Sequence, residues 1–292
     1  MLVQVALTRS PSLNLDHLTT LLDQIIIPAI PDLSSTAFKI HWFETLTSTN
    51  QTLWELLAQG SDQGTVAIAL QQQGGRGQWG RQWQSPQGGL YLSLALTPNL
   101  AVEQGAQLTL CSAWGIATAL RHYGIPVELK WLNDLVVQGR KLGGILTETR
   151  ISQGVIRQAI VGVGINWANP VPAVGINLQT VMATQPQPTI TSLEMLAAIA
   201  LRGMMGAYYH WQNQGIEAIL SEYHTLLTSV GLPVRVGDCL GIVTGVSATG
   251  DLRVRLSGNG ASATDILVKP GEVCLGYDLP EREPATDVER LN

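Results

Sequence analysis

Gly74-Gly75-Arg76-Gly77-Gln78-Trp79-Gly80-Arg81-Gln82-Trp83-Gln84-Ser85-Pro86 is the most informative stretch of this 292-residue chain. Its glycines let the backbone approach a ligand closely and aim N–H groups at negative charge. Arg76 and Arg81 add planar guanidinium forks that match carboxylate and phosphate. The stretch lacks the Lys-Ser/Thr ending of a P-loop, so it is not that motif. Thr65–Leu70 before it is an unbroken apolar run and Leu90–Thr97 after it alternates, so the loop joins two strands. Taken bare, the same loop also reads as a hairpin with solvated arginines.

Upstream, Phe38–Leu46 reads as a strand, and Ser48-Thr49-Asn50-Gln51 has the Ser-x-x-Gln form of a capping box opening a helix that stops at Gly60. Downstream, residues 102–123 form an apolar helix ending at Gly124. Three strand-like pieces follow: Val127–Trp131, Leu142–Arg150 after a turn at Gln138-Gly139, and Val155–Trp167 after a turn at Gln153-Gly154. Thr191-x-x-Glu194 caps a third helix, and Gly215–Leu227 forms a fourth. From Leu232 short strands alternate with glycine-containing turns: Pro233–Val236, Leu240–Val246, Leu252–Leu256, Ile266–Val268 and Val273–Leu275. That spacing predicts a small SH3-like β-barrel. The expected organisation is an extension over 1–37, a catalytic domain over 38–231, the barrel over 232–280 and a tail over 281–292.

Composition narrows the function. Apolar residues at 45% supply a core, while a net charge of −5 argues against general nucleic-acid binding. Between Asp62 and Glu103 the only charged residues are Arg76 and Arg81, so a cationic loop sits on an acidic protein, as a small-anion site would require. Cys111, Cys239 and Cys274 are too scattered for a disulfide framework or a zinc site, and Cys111 lies in an apolar helical pattern. The start lacks the charge and apolar pattern of a signal peptide, and Met195–Tyr209 is interrupted by Arg202 and too short to span a bilayer. The expectation is a cytoplasmic protein without membrane association.

Two further segments carry chemistry. Lys130 ends an apolar strand, where a long cation faces a cavity or snorkels to the surface. It opens Lys130-Trp131-Leu132-Asn133-Asp134, which is followed by Lys141-Leu142-Gly143-Gly144-Ile145-Leu146. Asn133-Asp134 also serves as an ordinary turn. In Gly162-Val163-Gly164-Ile165-Asn166, glycines at alternate strand positions bare one face for a flat ligand or for a closely packed neighbour.

The order of these pieces resembles the biotin–protein ligase family. The resemblance runs strongly over about residues 40–170, through Ser48-Thr49-Asn50, Gln72, Gly75-Arg76-Gly77, Trp83-x-Ser85-Pro86, Leu90-Tyr91-x-Ser93 and the two segments just named. It implies an α+β fold with a class II synthetase-like mixed sheet flanked by helices. It implies an enzyme that joins biotin and ATP, with Mg²⁺, into biotinyl-5'-AMP and passes the biotin to a lysine. The acceptor it implies is the biotin carboxyl carrier protein of acetyl-CoA carboxylase. By the same resemblance Lys130 and Arg76 are catalytic. Ser48, Thr49, Asn50, Gln72, Gly75, Arg76, Gly77, Gln78, Lys130, Gly162 and Gly164 surround biotin. Arg76, Gln78, Arg81, Trp83, Asn133, Lys141 and Asn166 surround the nucleotide, and no metal ligand is assigned.

Ser48 and Thr49 are equally the helix cap, and Trp83 equally a packing residue. Residues 74–86 form an expected lid over the water-labile adenylate. Two departures stand out: Gln78 where the family usually has Arg, and Leu132 where it has Pro. Some relatives carry an N-terminal DNA-binding module; residues 1–37, with Arg9 as their one Lys or Arg, are expected to hold none. A homodimer is one assembly the resemblance allows. The nearest rival, a lipoate or octanoyl transferase, needs in its acyl-transferring form a cysteine in the pocket, and no cysteine falls in the motifs.

Overall fold

The computed structural model describes residues 13–31, 37–183, 185–256, 264–273 and 275–276. The expected tail over 281–292, residues 1–12 and 32–36 of the expected extension, and Cys274 lie outside the described residues.

In chain order the elements are α1 (Leu15–Gln24), β1 (Lys39–Leu46), α2 (Thr49–Ala58), β2 (Thr65–Gln72), β3 (Leu90–Leu96), β4 (Leu100–Ala101), α3 (Ala106–His122), β5 (Glu128–Lys130), β6 (Asp134–Val137), β7 (Arg140–Ser152) and β8 (Val155–Ile165). Then come α4 (Leu178–Met182), α5 (Leu193–Gln214), α6 (Ile216–Leu226), β9 (Pro233–Val236), β10 (Cys239–Val246), β11 (Leu252–Leu256) and β12 (Thr264–Val268). The first sheet runs β1-β2-β3-β8-β7-β6-β5, with β4 paired to β8. Only β1 and β2 are parallel; the other pairs are antiparallel, which makes the sheet mixed. Both turns read from sequence put their two residues at positive φ, Gln138-Gly139 at 53° and 69° and Gln153-Gly154 at 52° and 74°. That is the type I′ geometry that matches strand twist.

Strand alternation sorts the sheet into two faces. On one, Leu53 and Leu57 of α2 pack on Ala67, Ala95 and Ile160. On the other, Val66, Ile68, Leu92, Leu94 and Val161 join the main core with α1, α3, α5 and α6. Helices α3 and α5 cross at Gly115 and Gly203; a Cβ on Gly203 would sit 2.6 Å from the Gly115 carbonyl oxygen, so only glycine allows this approach. Helix α1 docks on α5, and the buried Arg202 of α5 donates from Nε and Nη2 to the Leu22 carbonyl at the C-terminal end of α1.

Two caps differ from the sequence reading. Ser48 occupies the N-cap of α2 but makes no side-chain cap bond; Gln72 Oε1 accepts the Thr49 N–H instead, at 2.8 Å. Helix α5 is capped by Ser192, not Thr191: the Ser192 hydroxyl accepts the Met195 N–H at 3.1 Å. Glu194 is drawn to a different donor, the Asn14 N–H, at 2.8 Å.

The expected SH3-like barrel is overturned. Strands β9–β12 form an open antiparallel sheet in the order β12-β11-β10-β9, and its two outer strands do not pair with each other. The fifth strand read at Val273–Leu275 does not form among the described residues. After β12 the chain turns at Pro270-Gly271, with Gly271 at φ 97° and Lys269 N–H bonded to Glu272 Oε2 at 2.8 Å. A proline without an N–H followed by a left-handed glycine redirects the chain away from the ladder. Residues 270–273 and 275–276 line a cleft instead.

Candidate active site

The cleft, about 930 Å³, lies on the α2 face of the large sheet, where small residues lower the floor. It reaches from Gln72 on β2, past Gly162 and Gly164 on β8 and Gly144 on β7, to Lys130 at the end of β5. Of the biotin- and nucleotide-site residues expected from the sequence, all but Gly75 line it; Arg76, Arg81 and Lys130 therefore share one cavity. Gly75 acts behind the wall, where a Cβ would sit 2.5 Å from Ser85 Oγ and overlap the Trp83 carbonyl.

At the α2 end, polar groups form a continuous buried chain. Gln72 Oε1 accepts from the Thr49 N–H at 2.8 Å and from Thr49 Oγ1 at 3.1 Å, while Gln72 Nε2 donates to Ser85 Oγ at 2.9 Å. Ser93 Oγ lies 2.8 Å from Thr49 Oγ1 and 2.6 Å from Asn50 Oδ1, and its single proton serves one at a time. Asn50 Oδ1 fills the space over Gly162, which a side chain there would overlap. Ser93 is a site residue that the motifs alone do not assign; its signal in the sequence is a lone hydroxyl in Leu90-Tyr91-Leu92-Ser93-Leu94, which must find a partner once buried.

Trp83 stands over Gly164 in the same way, and Lys141 Nζ lies 5.3 Å from its ring centroid. Its indole Nε1 is buried with no hydrogen-bond partner. Lys141 Nζ is also 2.6 Å from Asp134 Oδ1. The Asn166 amide is engaged within the fold: Nδ2 reaches the carbonyls of Lys141 (3.3 Å) and Ile176 (3.2 Å), and Oδ1 accepts from Asn169 Nδ2 at 3.0 Å. Asn133 Nδ2 donates to Ile145 O at 2.8 Å and ties its turn to β7.

The glycine-rich loop is a folded hairpin. Gly77 N–H bonds to Arg81 O at 2.7 Å and Trp83 N–H to Gly75 O at 2.9 Å, with Trp79 at the tip at φ 58°. The Gly77 amide is thus taken up by the hairpin, and Arg76, Gln78 and Arg81 are among the loop residues that line the cleft. Arg76 Nη2 sits 3.1 Å from Glu148 Oε1 on β7, a partner the sequence reading did not name. Glu148 lies two positions beyond Leu146, on the strand face that carries the cleft, which was the available signal. Trp79 packs on Gly271 of the C-terminal turn.

The model of the Biotin/lipoate A/B protein ligase family matches residues 42–166. The bifunctional ligase/repressor BirA of Escherichia coli (strain K12) is 32% identical over 237 residues, which cover 78% of this chain and 71% of that protein. The chain belongs to this ligase family. It carries a biotin–protein ligase catalytic domain. The BirA protein of Bacillus subtilis (strain 168) is 36% identical over 127 residues, 43% of this chain, and the match spans 39% of that relative's length. Among solved structures, the biotin protein ligase from Aquifex aeolicus in complex with biotin and ATP superposes with a TM-score of 0.66 at 25% identity, covering 82% of this chain and 99% of that one.

Among the described residues no group of three or more His, Cys, Asp or Glu side chains is placed to hold a metal ion. The described carboxylates lining the cleft are Asp134 and Glu272. Asp134 is paired with Lys141, so the described residues offer no preformed metal cage there. No helix among the described residues is long and apolar enough to cross a membrane.

Proposed function

We propose that the protein is an ATP-dependent biotin–[acetyl-CoA-carboxylase] ligase. It forms biotinyl-5'-AMP and transfers the biotin to a lysine of the biotin carboxyl carrier protein. Residues 38–231 are its catalytic domain and 232–280 a C-terminal domain. The observation that carries this reading is the shared cleft, which Arg76, Arg81, Lys130 and Lys141 line together with the uncharged polar Thr49 and Gln72.

Biotin pairs a polar ureido ring with an apolar body and a carboxylate. Thr49 and Gln72 offer donors and acceptors to the ring, beside Ser48, Asn50 and Gly162, while the bare backbone of Gly164 gives flat surface. In the first half-reaction a carboxylate oxygen attacks the α-phosphorus of ATP, and the bond to the β-phosphate breaks with release of pyrophosphate. Two anions must meet. Lys130 and Arg76 offset their repulsion and the charge that grows on the phosphate, with Gln78 and Arg81 beside them. Mg²⁺ bound with the nucleotide supplies further positive charge. Trp83, Asn133, Lys141 and Asn166 lie against the nucleotide, with Trp83 available for stacking. In the second half-reaction the acceptor lysine nitrogen attacks the acyl carbon, AMP leaves with the bonding electron pair, and the amine gives up a proton. Lys130 screens the oxyanion of that step.

A carrier domain mixed with this protein, biotin and Mg-ATP is expected to gain the mass of one biotinyl group on a lysine. An unmodified carrier, or equal acceptance of lipoate or octanoate, contradicts the reading.

A further inference from the structure

Lys130 closes β5; besides its pairing with β6 and the Asn133–Ile145 bonds, three further contacts hold the segment around it. The Leu129 carbonyl accepts from Thr228 N–H at 2.9 Å and from Thr228 Oγ1 at 3.2 Å. Trp131 Nε1 donates to the Gly250 carbonyl at 2.9 Å. The Leu132 carbonyl accepts from the Tyr223 hydroxyl at 2.9 Å. These three partners come from residues 223–250, namely α6, its exit and the β10–β11 turn. Neither Tyr223, Thr228 nor Gly250 lines the cleft.

Helix α6 and the β10–β11 hairpin are themselves joined, since His224 Nε2 accepts the Val246 N–H at 2.8 Å. They form one brace outside the cleft. Tyr223 is fully buried within it, and burial, helped by the charge of Asp134, holds its phenol above the ordinary tyrosine range. The hydroxyl therefore stays a donor at physiological pH. Leu132 stands where a proline would have stiffened the turn from within, and the Tyr223 bond stiffens it from outside.

We propose that Tyr223 is a positioning residue for Lys130: its hydroxyl, with Thr228 and Gly250, fixes the turn that presents the ammonium to the cleft. The proposal rests on the adenylate-forming reading and adds to it a route by which the C-terminal sheet acts on chemistry it does not touch. Placement errors of about an ångström in a catalytic cation cost rate and leave ligand affinity largely intact.

The test compares Tyr223→Phe with Tyr208→Phe, a control phenol that is equally buried on α5 and whose oxygen accepts from Gln212 Nε2 at 2.9 Å. Two quantities are read on the full chain: biotin-dependent ATP–pyrophosphate exchange, and hydrogen exchange of the two amides that hold the turn, Thr228 N–H on the Leu129 carbonyl and Ile145 N–H on the Asn133 carbonyl. Tyr223→Phe is expected to lower kcat about tenfold with KM for biotin within about twofold, and to speed exchange of those amides about tenfold. Tyr208→Phe is expected to change neither. Unchanged turn amides in Tyr223→Phe overturn the proposal, and so do faster amides with unchanged kcat. If the parent protein itself catalyses no exchange, the ligase reading fails. The amides then still decide whether Tyr223 holds the turn.

Discussion

Arg76 Nη2 lies 3.1 Å from Glu148 Oε1, which joins the tip-forming loop to the central strand β7. The other oxygen of the same carboxylate accepts from Trp54 Nε1 at 2.8 Å, and the Arg150 guanidinium faces the Trp54 ring at 4.2 Å from its centroid. Glu148 thus connects the loop to α2. The Arg76 side chain is 51% exposed, so its ion pair is worth at most about 1 kcal/mol. An anionic ligand can take the guanidinium over at little cost.

Glu148→Gln removes the charge and keeps an oxygen for Trp54. It is expected to leave global stability within about 1 kcal/mol of the parent while releasing the loop. Trypsin should then cut after Arg76 and Arg81 faster than in the parent, and biotin should slow the cut in both proteins. Cleavage indifferent to biotin contradicts a lid over residues 74–86. Equal cleavage of the two proteins contradicts a holding role for Glu148.

The floor of the cleft gives a second test. A methyl group at Gly162 would overlap Asn50 Oδ1, and one at Gly164 would overlap Trp83 Nε1. Each substitution to Ala should cost about 1–3 kcal/mol through overpacking. Calorimetric titration should separate the two ligands: Gly162→Ala and Gly164→Ala weaken biotin more than ATP, whereas Trp83→Ala weakens ATP more than biotin. Equal losses for both ligands would reduce these residues to packing.

Cys111 is unsuited to act as a thiol nucleophile. It is buried in α3, and burial pushes its thiol well above the usual range, so it holds no thiolate at neutral pH. Iodoacetamide at pH 8 should label the exposed Cys239 and spare Cys111 in the native protein, as read by peptide mass. Cys111→Ala should keep its exchange activity. Loss of activity together with native labelling of Cys111 would favour an acyl-transferring enzyme.

Much of the site was legible because its residues break the pattern around them. Lys130 is a cation closing an apolar strand, and Gly162 and Gly164 are bare positions in a buried one; the structure puts all three on the cleft wall. The strand-joining role of the 74–86 loop and both hairpin turns followed from local chemistry alone. What sequence did not reveal depends on contacts distant along the chain. Glu148 meets Arg76 across 72 residues, and Gln72 replaces Ser48 as the cap of α2 from a neighbouring strand. The barrel failed for a related reason. Short alternating strands say that a small sheet forms, but closure needs a strand to join its two edges, and the Pro270-Gly271 turn sends the chain to the cleft instead.

The central claim is that Lys130 and Arg76 act on one phosphoanhydride, and biotin-dependent ATP–pyrophosphate exchange in Lys130→Ala, Arg76→Ala and the double variant tests it most directly. Loss of such a group costs about 3–4 kcal/mol in the transition state, so Lys130→Ala should fall at least about a hundredfold. The double variant should fall by less than the product of the single losses, because both cations serve the same transition state. Near-normal exchange by Lys130→Ala would contradict the account.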